Sequence, residues 1–306
     1  MKYTKIRDIE VSRVMMGCMR IADKPLADIE KLIIEAMRAG INAFDHADIY
    51  GKGDCEKVFG VAVRDLGIAR EDYVIQSKCG IRKNEMGKWF DFSKEHIVQS
   101  AEDSLRRLNV EYLDFFLLHR PDSLIEPEKV AEAFDYLQNK GMVRHFGVSN
   151  FSAQQIELLK RYGVDVTVNQ MQFSLGHTAL VDSGFFVNMF ENEAITRAGD
   201  ALEYCRANDI TLQAWSPLQY GFFKGTFIDN EEFPQLNAEL GALAEKYGVT
   251  KTAIACAWIL RHPARMQVVT GTTSFERLEQ MSKGADIELT REEWYRLYMS
   301  TGKVLP

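Results

Sequence analysis

Long apolar runs are missing from this chain of 306 residues, which argues against helices that cross a membrane. The most apolar stretches, such as 112–118, are far shorter than the roughly 20 residues that span a bilayer. The amino terminus is interrupted by Lys2, Lys5, Arg7, Asp8 and Glu10, so no signal peptide is expected. Positive charge is also scarce. Lys and Arg number 37 against 44 Asp and Glu, and no basic stripe is present to neutralise a nucleic-acid backbone. The 5 cysteines, Cys18, Cys55, Cys79, Cys205 and Cys256, are an odd, scattered set without a CxxC pair. Such thiols neither staple a secreted fold nor build a zinc site, and the expected compartment is the cytoplasm. With 6 histidines and no HxH or HExxH spacing, the ligand set of a metal-dependent hydrolase is lacking, and no metal is expected.

What is present is alternation. Short β-branched or aromatic runs at 14–16, 41–45, 73–77, 112–118, 143–148, 166–169, 210–215 and 266–270 are separated by segments of helical period. Ile29, Leu32, Ile33, Ala36 and Met37 show that period, as do Val130, Ala133, Phe134 and Leu137. Gly40, Gly141 and Gly163 follow periodic segments, and Ser152 with Gln155 spells a capping box. Eight strands with helical crossovers fit a closed parallel barrel or a doubly wound sheet. No GxGxxG follows the first strand, which removes the main support for a dinucleotide-binding open sheet. The expectation is a (β/α)8 TIM barrel, one domain over residues 1–306, with an extra helix at 288–300 opened by Thr290 and Glu293. Three connections, 80–93, 171–196 and 216–235, are longer than a barrel needs and fall on the rim where barrel enzymes keep their chemistry.

Four residues sit at or beyond the ends of three successive strands: Asp45, Tyr50, Lys78 and His119. In a barrel they converge on one rim. Hydride addition to a carbonyl leaves an alkoxide that needs a proton, and a phenol of pKa about 10 is a poor acid–base group at neutral pH. A Lys ammonium lowers that pKa, a carboxylate holds the ammonium charged, and a His can donate to the carbonyl oxygen. Tyr50 would be the acid, Lys78 its tuner, Asp45 the anchor and His119 the carbonyl binder.

Several motifs carry a resemblance. Phe44-Asp45-His46-Ala47-Asp48-Ile49-Tyr50-Gly51 resembles the FDTADxYG signature of the aldo/keto reductases. Leu117-Leu118-His119-Arg120-Pro121-Asp122 resembles their LLHxPD segment, in an HRPD form similar to a bacterial branch whose physiological substrates are mostly unassigned. Gly147-Val148-Ser149-Asn150-Phe151, Asn169-Gln170, Trp215-Ser216-Pro217-Leu218 and the segment 271–278 follow in the family's order. The resemblance implies the same tetrad, carbonyl reduction and a nicotinamide cofactor. It places Ser149, Asn150 and Gln170 at the carboxamide, Trp215 on the ring, and Ser216, Leu218 and Gln219 along the pyrophosphate. Independently, Gly271, Thr272, Thr273 and Ser274 open a helix whose free N–H groups suit an anion, and Arg277 one turn in can grip a phosphate. NADPH is therefore expected over NADH.

Departures from the family pattern are His46 for a Thr, Gly271 for a Lys, and Gln280 and Met281 where Glu and Asn commonly meet the adenine. Met19, Arg20, Trp89 and parts of 171–196 are expected to wall the substrate pocket. The partner is a small-molecule carbonyl compound, with neither nucleic acid nor membrane, and the resemblance implies a monomer or weak oligomer. The rival reading is a cofactor-holding, redox-sensing module of a larger assembly, against which the complete tetrad stands.

Overall fold

The computed structural model describes residues 2–306. Twelve strands run in chain order: β1 (Tyr3–Ile6), β2 (Ile9–Ser12), β3 (Val14–Gly17), β4 (Ala43–Asp45), β5 (Val74–Cys79), β6 (Ile81–Asn84), β7 (Gly87–Phe90), β8 (Leu113–Leu118), β9 (Val143–Ser149), β10 (Val166–Gln172), β11 (Thr211–Trp215) and β12 (Gln267–Thr270). Eight of them close a parallel barrel in the order β3-β4-β5-β8-β9-β10-β11-β12, with β12 pairing back onto β3. All eight runs read from the sequence are these barrel strands.

Helices cover the outside because their apolar stripes need a partner surface. In Leu26–Arg38 the buried face is Ile29, Leu32, Ile33 and Ala36; in Pro127–Asn139 it includes Val130, Ala133, Phe134 and Leu137. Gly141 and Gly163 take left-handed backbone directly after their helices, where a side chain would be strained. The Ser152–Gln155 capping box forms, and Thr290 with Glu293 caps the terminal helix Arg291–Met299 in the same way.

Two hairpins were not legible beforehand. β1 and β2 pair antiparallel and plug the barrel floor, with Ile6, Ile9 and Val11 in one buried cluster with Met15, Phe115 and Leu117. Asp8 in their turn binds Arg144 and His145 of β9, which fastens the plug. β6 and β7 form a second hairpin inside the long connection after β5. Between plug and mouth the barrel is filled by amides. Gln76, Gln170, Gln213 and Gln267, from four different strands, are all buried and hydrogen-bonded to one another in a chain that reaches Asp45. Buried amides are tolerated because each finds a partner.

The connection 171–196 departs from expectation. It carries the helix Ala179–Phe185, whose Phe185 packs against Trp294, Tyr295 and Tyr298 of the terminal helix. Asp182 accepts hydrogen bonds from Tyr298 and Lys303. Leu180, Val181 and Phe186 of this segment are buried, and none of its residues lines the mouth.

Gly17, the last residue of β3, marks how closely the rim is packed. A Cβ there would lie 2.3 Å from the Thr270 carbonyl oxygen of β12. Gly17→Ala is expected to lower stability by about 1–3 kcal/mol through overpacking, read as a lower urea midpoint. An unchanged midpoint would contradict this packing at the barrel seam.

Candidate active site

The parallel ladder continues past the strand ends and sets the first positions. His46 N–H donates to Gln76 O (2.8 Å), Asp48 N–H to Lys78 O (3.0 Å) and His119 N–H to Cys79 O (2.9 Å). Tyr50 opens a short turn, Tyr50–Gly53, in which Gly51 is left-handed and so close to Ala22 that a Cβ would stand 2.9 Å from its methyl. These constraints bring the four residues named from the sequence together. The Lys78 ammonium, wholly buried, donates to Asp45 Oδ1 (2.6 Å), to the His46 carbonyl (2.8 Å) and to Tyr50 Oη (3.3 Å). Its three protons are thereby used. Asp45 Oδ1 also accepts from Gln76 (2.7 Å) and Gln170 (3.0 Å). The His119 ring stands edge-on to Tyr50, with centroids 5.9 Å apart.

This arrangement fixes proton directions. Lys78 has no acceptor to offer, so Tyr50 receives a hydrogen bond from it and keeps its own O–H proton free for the cavity. Burial raises the Tyr50 pKa above the ordinary phenol value, and the Lys78 charge opposes that rise. Burial by itself would lower the Lys78 pKa; Asp45 and Tyr50 outweigh it, so the ammonium is held charged above the ordinary lysine value. Burial, with the Lys78 and Arg120 charges, drives His119 well below the ordinary imidazole value, so it acts as a neutral N–H donor. His119 Nδ1 is buried without a partner among the described residues, which leaves Nε2 for the cavity. His46 is lowered to about 3 by burial and by Lys78, and its ring meets the Phe59 ring (4.6 Å). It is a packing residue and does not titrate near neutrality. Among the described residues no three His, Cys, Asp or Glu side chains come together as metal ligands.

Above the tetrad opens a cavity of about 990 Å³, walled by Met19, Tyr50, His119, Ser149, Asn150, Gln170, Trp215, Ser216, Leu218, Gln219, Gly271, Thr272 and Arg277, among others. Its side walls are linked. Trp215 Nε1–H donates to Asn150 Oδ1 (3.1 Å), Asn150 Nδ2 to Ser149 Oγ (2.7 Å) and Ser149 Oγ–H to the Gln170 carbonyl (2.9 Å). Both Gln170 amide protons are spent on Asp45 and Gln213, so only its side-chain oxygen can serve a ligand, as an acceptor. Ser274 caps the helix Phe275–Gly284 by accepting from Arg277 N–H, and neither Ser274 nor Thr273 is part of the cavity wall.

One expected wall residue stands elsewhere. Trp89 points away from the cavity: side chains alternate along β7, so Lys88 and Phe90 line the mouth while Trp89 packs against Arg82. Arg20 is on the wall, as expected, at the end where Gly271 lies. Its guanidinium donates to the Gly271 carbonyl (2.7 Å) and fills the space that a side chain at 271 would claim. Sequence reasoning missed Phe222, Phe223 and Asp229, which wall the mouth from the connection 216–235. The adjacent Phe222-Phe223 pair in a long rim loop was the available signal.

The residues 13–299 match the model of the Aldo/keto reductase family. The chain is 33% identical to Oxidoreductase YdhF of Escherichia coli over 94% of this chain and 93% of that protein. It is also 33% identical to 6-dehydroglucose reductase of Agrobacterium fabrum, covering 96% of each. A solved aldo-keto reductase from Klebsiella pneumoniae, in complex with NADPH, superposes with a TM-score of 0.75 at 23% identity, over 97% of this chain and 94% of that one, a likeness of fold. A closed eight-stranded barrel with these motifs on its rim, and a family match running nearly end to end, make this chain a member of the aldo/keto reductase family, whose enzymes are NAD(P)H-dependent oxidoreductases.

Proposed function

We propose that the chain reduces the aldehyde or ketone carbonyl of a small molecule to an alcohol with NADPH, Tyr50 serving as general acid. The observation that carries this is the Tyr50 hydroxyl: it accepts from a buried ammonium, has its own proton free, and lies beside a neutral His119 at the floor of the cavity. When bound, the reduced nicotinamide supplies the hydride. The chain's residues supply the rest. His119 Nε2–H and the Tyr50 O–H both donate to the carbonyl oxygen, which polarises the carbon and places negative charge where donors already point. As the oxygen becomes an alkoxide it takes the Tyr50 proton, and the phenolate left behind faces the Lys78 ammonium, which Asp45 holds in place.

The residues fit the cofactor. The Trp215 ring is braced by its bond to Asn150, the Gln170 oxygen is free to accept from a carboxamide, and Thr270 Oγ1 is an unpartnered buried hydroxyl on the same wall. Ser216, Leu218 and Gln219 line the adjoining stretch, and the wall at Gly271 and Thr272 with Arg277 and Arg20 offers donors to phosphates. Arg20 takes up the position that Gly271 leaves open, so a cation stands there despite the missing Lys. NADPH is therefore proposed over NADH. The complete tetrad favours turnover over a redox-sensing module, and five buried free thiols fit a reducing compartment, the cytoplasm. Residues 1–306 are taken as one catalytic unit.

Tyr50→Phe removes only the hydroxyl. It is expected to abolish carbonyl reduction while NADPH affinity, read by fluorescence quenching, stays within about twofold; wild-type turnover in this variant would refute the acid's assignment. Arg277→Ala is expected to weaken NADPH more than NADH by about 1.5–3 kcal/mol, the worth of a charge-assisted contact. Equal losses for the two cofactors would show that Arg277 does not read the extra phosphate.

A further inference from the structure

The cavity walls carry an unbalanced charge. Two carboxylates line them, and each is already paired: Asp45 with Lys78 (2.6 Å) and Asp229 with Lys251 (2.5 Å). Four cationic side chains also line them, Arg20, Lys88, Arg120 and Arg277, and among the described residues none has a carboxylate partner. This occurs in a chain whose net charge is -7, so the mouth is a local positive site against the background of the whole molecule.

Phosphates of the cofactor account for two of the four. Arg20 is bonded to Gly271 and Arg277 lies in the first turn of the helix beyond it. Lys88 stands exposed on the rim hairpin. Arg120 is not explained this way. It follows His119 directly, is half-buried, and makes no hydrogen bond to any described residue. Its guanidinium lies 5.5 Å over the Trp215 ring and 5.9 Å over the Phe222 ring, and it lines the same cavity as Tyr50. The aromatic faces hold the cation in place but satisfy none of its five N–H donors. A guanidinium that has given up part of its hydration with no acceptor in return is short of one ligand.

We propose that Arg120 recognises an anionic group on the substrate, so that the preferred substrates are short oxo acids carrying a carboxylate within a few bonds of the carbonyl. The inference rests on the carbonyl-reducing reading above and narrows it. The planar guanidinium matches a carboxylate through two parallel hydrogen bonds, which a neutral hydroxylated aldehyde cannot reproduce with charge. Arg120 lines the same cavity as Tyr50 and as His119, its neighbour in the chain, so a short molecule with its carboxylate on Arg120 would present its carbonyl oxygen to that pair. The overall step converts the oxo acid, NADPH and a proton to the hydroxy acid and NADP+.

The test compares kcat/KM for two matched pairs at equal NADPH: glyoxylate against glycolaldehyde, and 4-oxobutanoate against butanal. Intrinsic reactivity differs within a pair, so the readout is the change in each charged-to-neutral ratio between proteins. In Arg120→Met the ratio is expected to fall by about 10- to 100-fold for at least one pair, the loss of one charge-assisted contact. Arg120→Lys should retain part of it, because the charge stays while the two-pronged geometry goes. The drop should appear mainly in KM for the acid. Ratios unchanged in Arg120→Met for both pairs would overturn the assignment while leaving carbonyl reduction standing. Wild-type protein that turns over none of the four compounds would count against the carbonyl-reducing reading itself, and the Arg120 inference would fall with it.

Discussion

One buried ion pair organises this protein's chemistry. Lys78 is out of contact with water, and removing an ammonium from water without compensation costs several kcal/mol. The compensation is complete here: its three protons go to Asp45, to the His46 carbonyl and to Tyr50. The carboxylate is itself held by Gln76 and Gln170, and those amides by Gln213 and Gln267. Orientation thus passes from the polar layer in the barrel to the phenol at its mouth. A lysine free to rotate would leave the Tyr50 proton undirected. Because every donor is assigned, the proton points to the cavity.

The same interaction explains why a carboxylate, an ammonium, a phenol and an imidazole coexist without spoiling one another. Burial alone would neutralise the lysine; Asp45 prevents it. Burial, with the ammonium's charge added, keeps His119 and His46 neutral, so positive charge at the tetrad is confined to one side chain. The other cations on the cavity walls include Arg20 and Arg277, beside the start of a helix whose dipole adds to their field. The tetrad thus holds one paired cation, and the walls carry four without carboxylate partners among the described residues, in a chain of net charge -7.

Much of this was legible from residue order. The barrel strands declared themselves as short, mainly apolar runs, because a strand buried on both faces admits a charge only where a partner meets it, as Lys78 meets Asp45. The four were legible together because Asp45, Lys78 and His119 sit at or next to strand ends and Tyr50 lies five residues beyond one, and ends of parallel strands share one rim. The rest depended on pairings that local sequence does not encode. The β1–β2 hairpin is four residues a side, interrupted by Lys5, Arg7, Asp8 and Glu10, and is a plug only because Ile6, Ile9 and Val11 meet the barrel floor. The glutamine layer looks like polar noise inside apolar runs until four strands bring the amides together. Trp89 was placed on the wrong side because a hairpin in the connection 80–93, unseen in the sequence, decides which side chains face in. Arg20 was read as a pocket wall and does line the cavity, but its bond to the Gly271 carbonyl, 251 residues away, is not written in local sequence.

The central claim is that Lys78 sets the acidity of Tyr50, and carbon-13 NMR of protein labelled at the tyrosine Cζ tests it most directly. The Tyr50 resonance is assigned by its loss in the Tyr50→Phe protein, then titrated with pH in wild type and in Lys78→Met. The account predicts that the phenol stays protonated at neutral pH in both proteins and ionises at distinctly lower pH in wild type. Coincident titration curves would contradict it, for Lys78 would then be a buried strut with no hold on the proton.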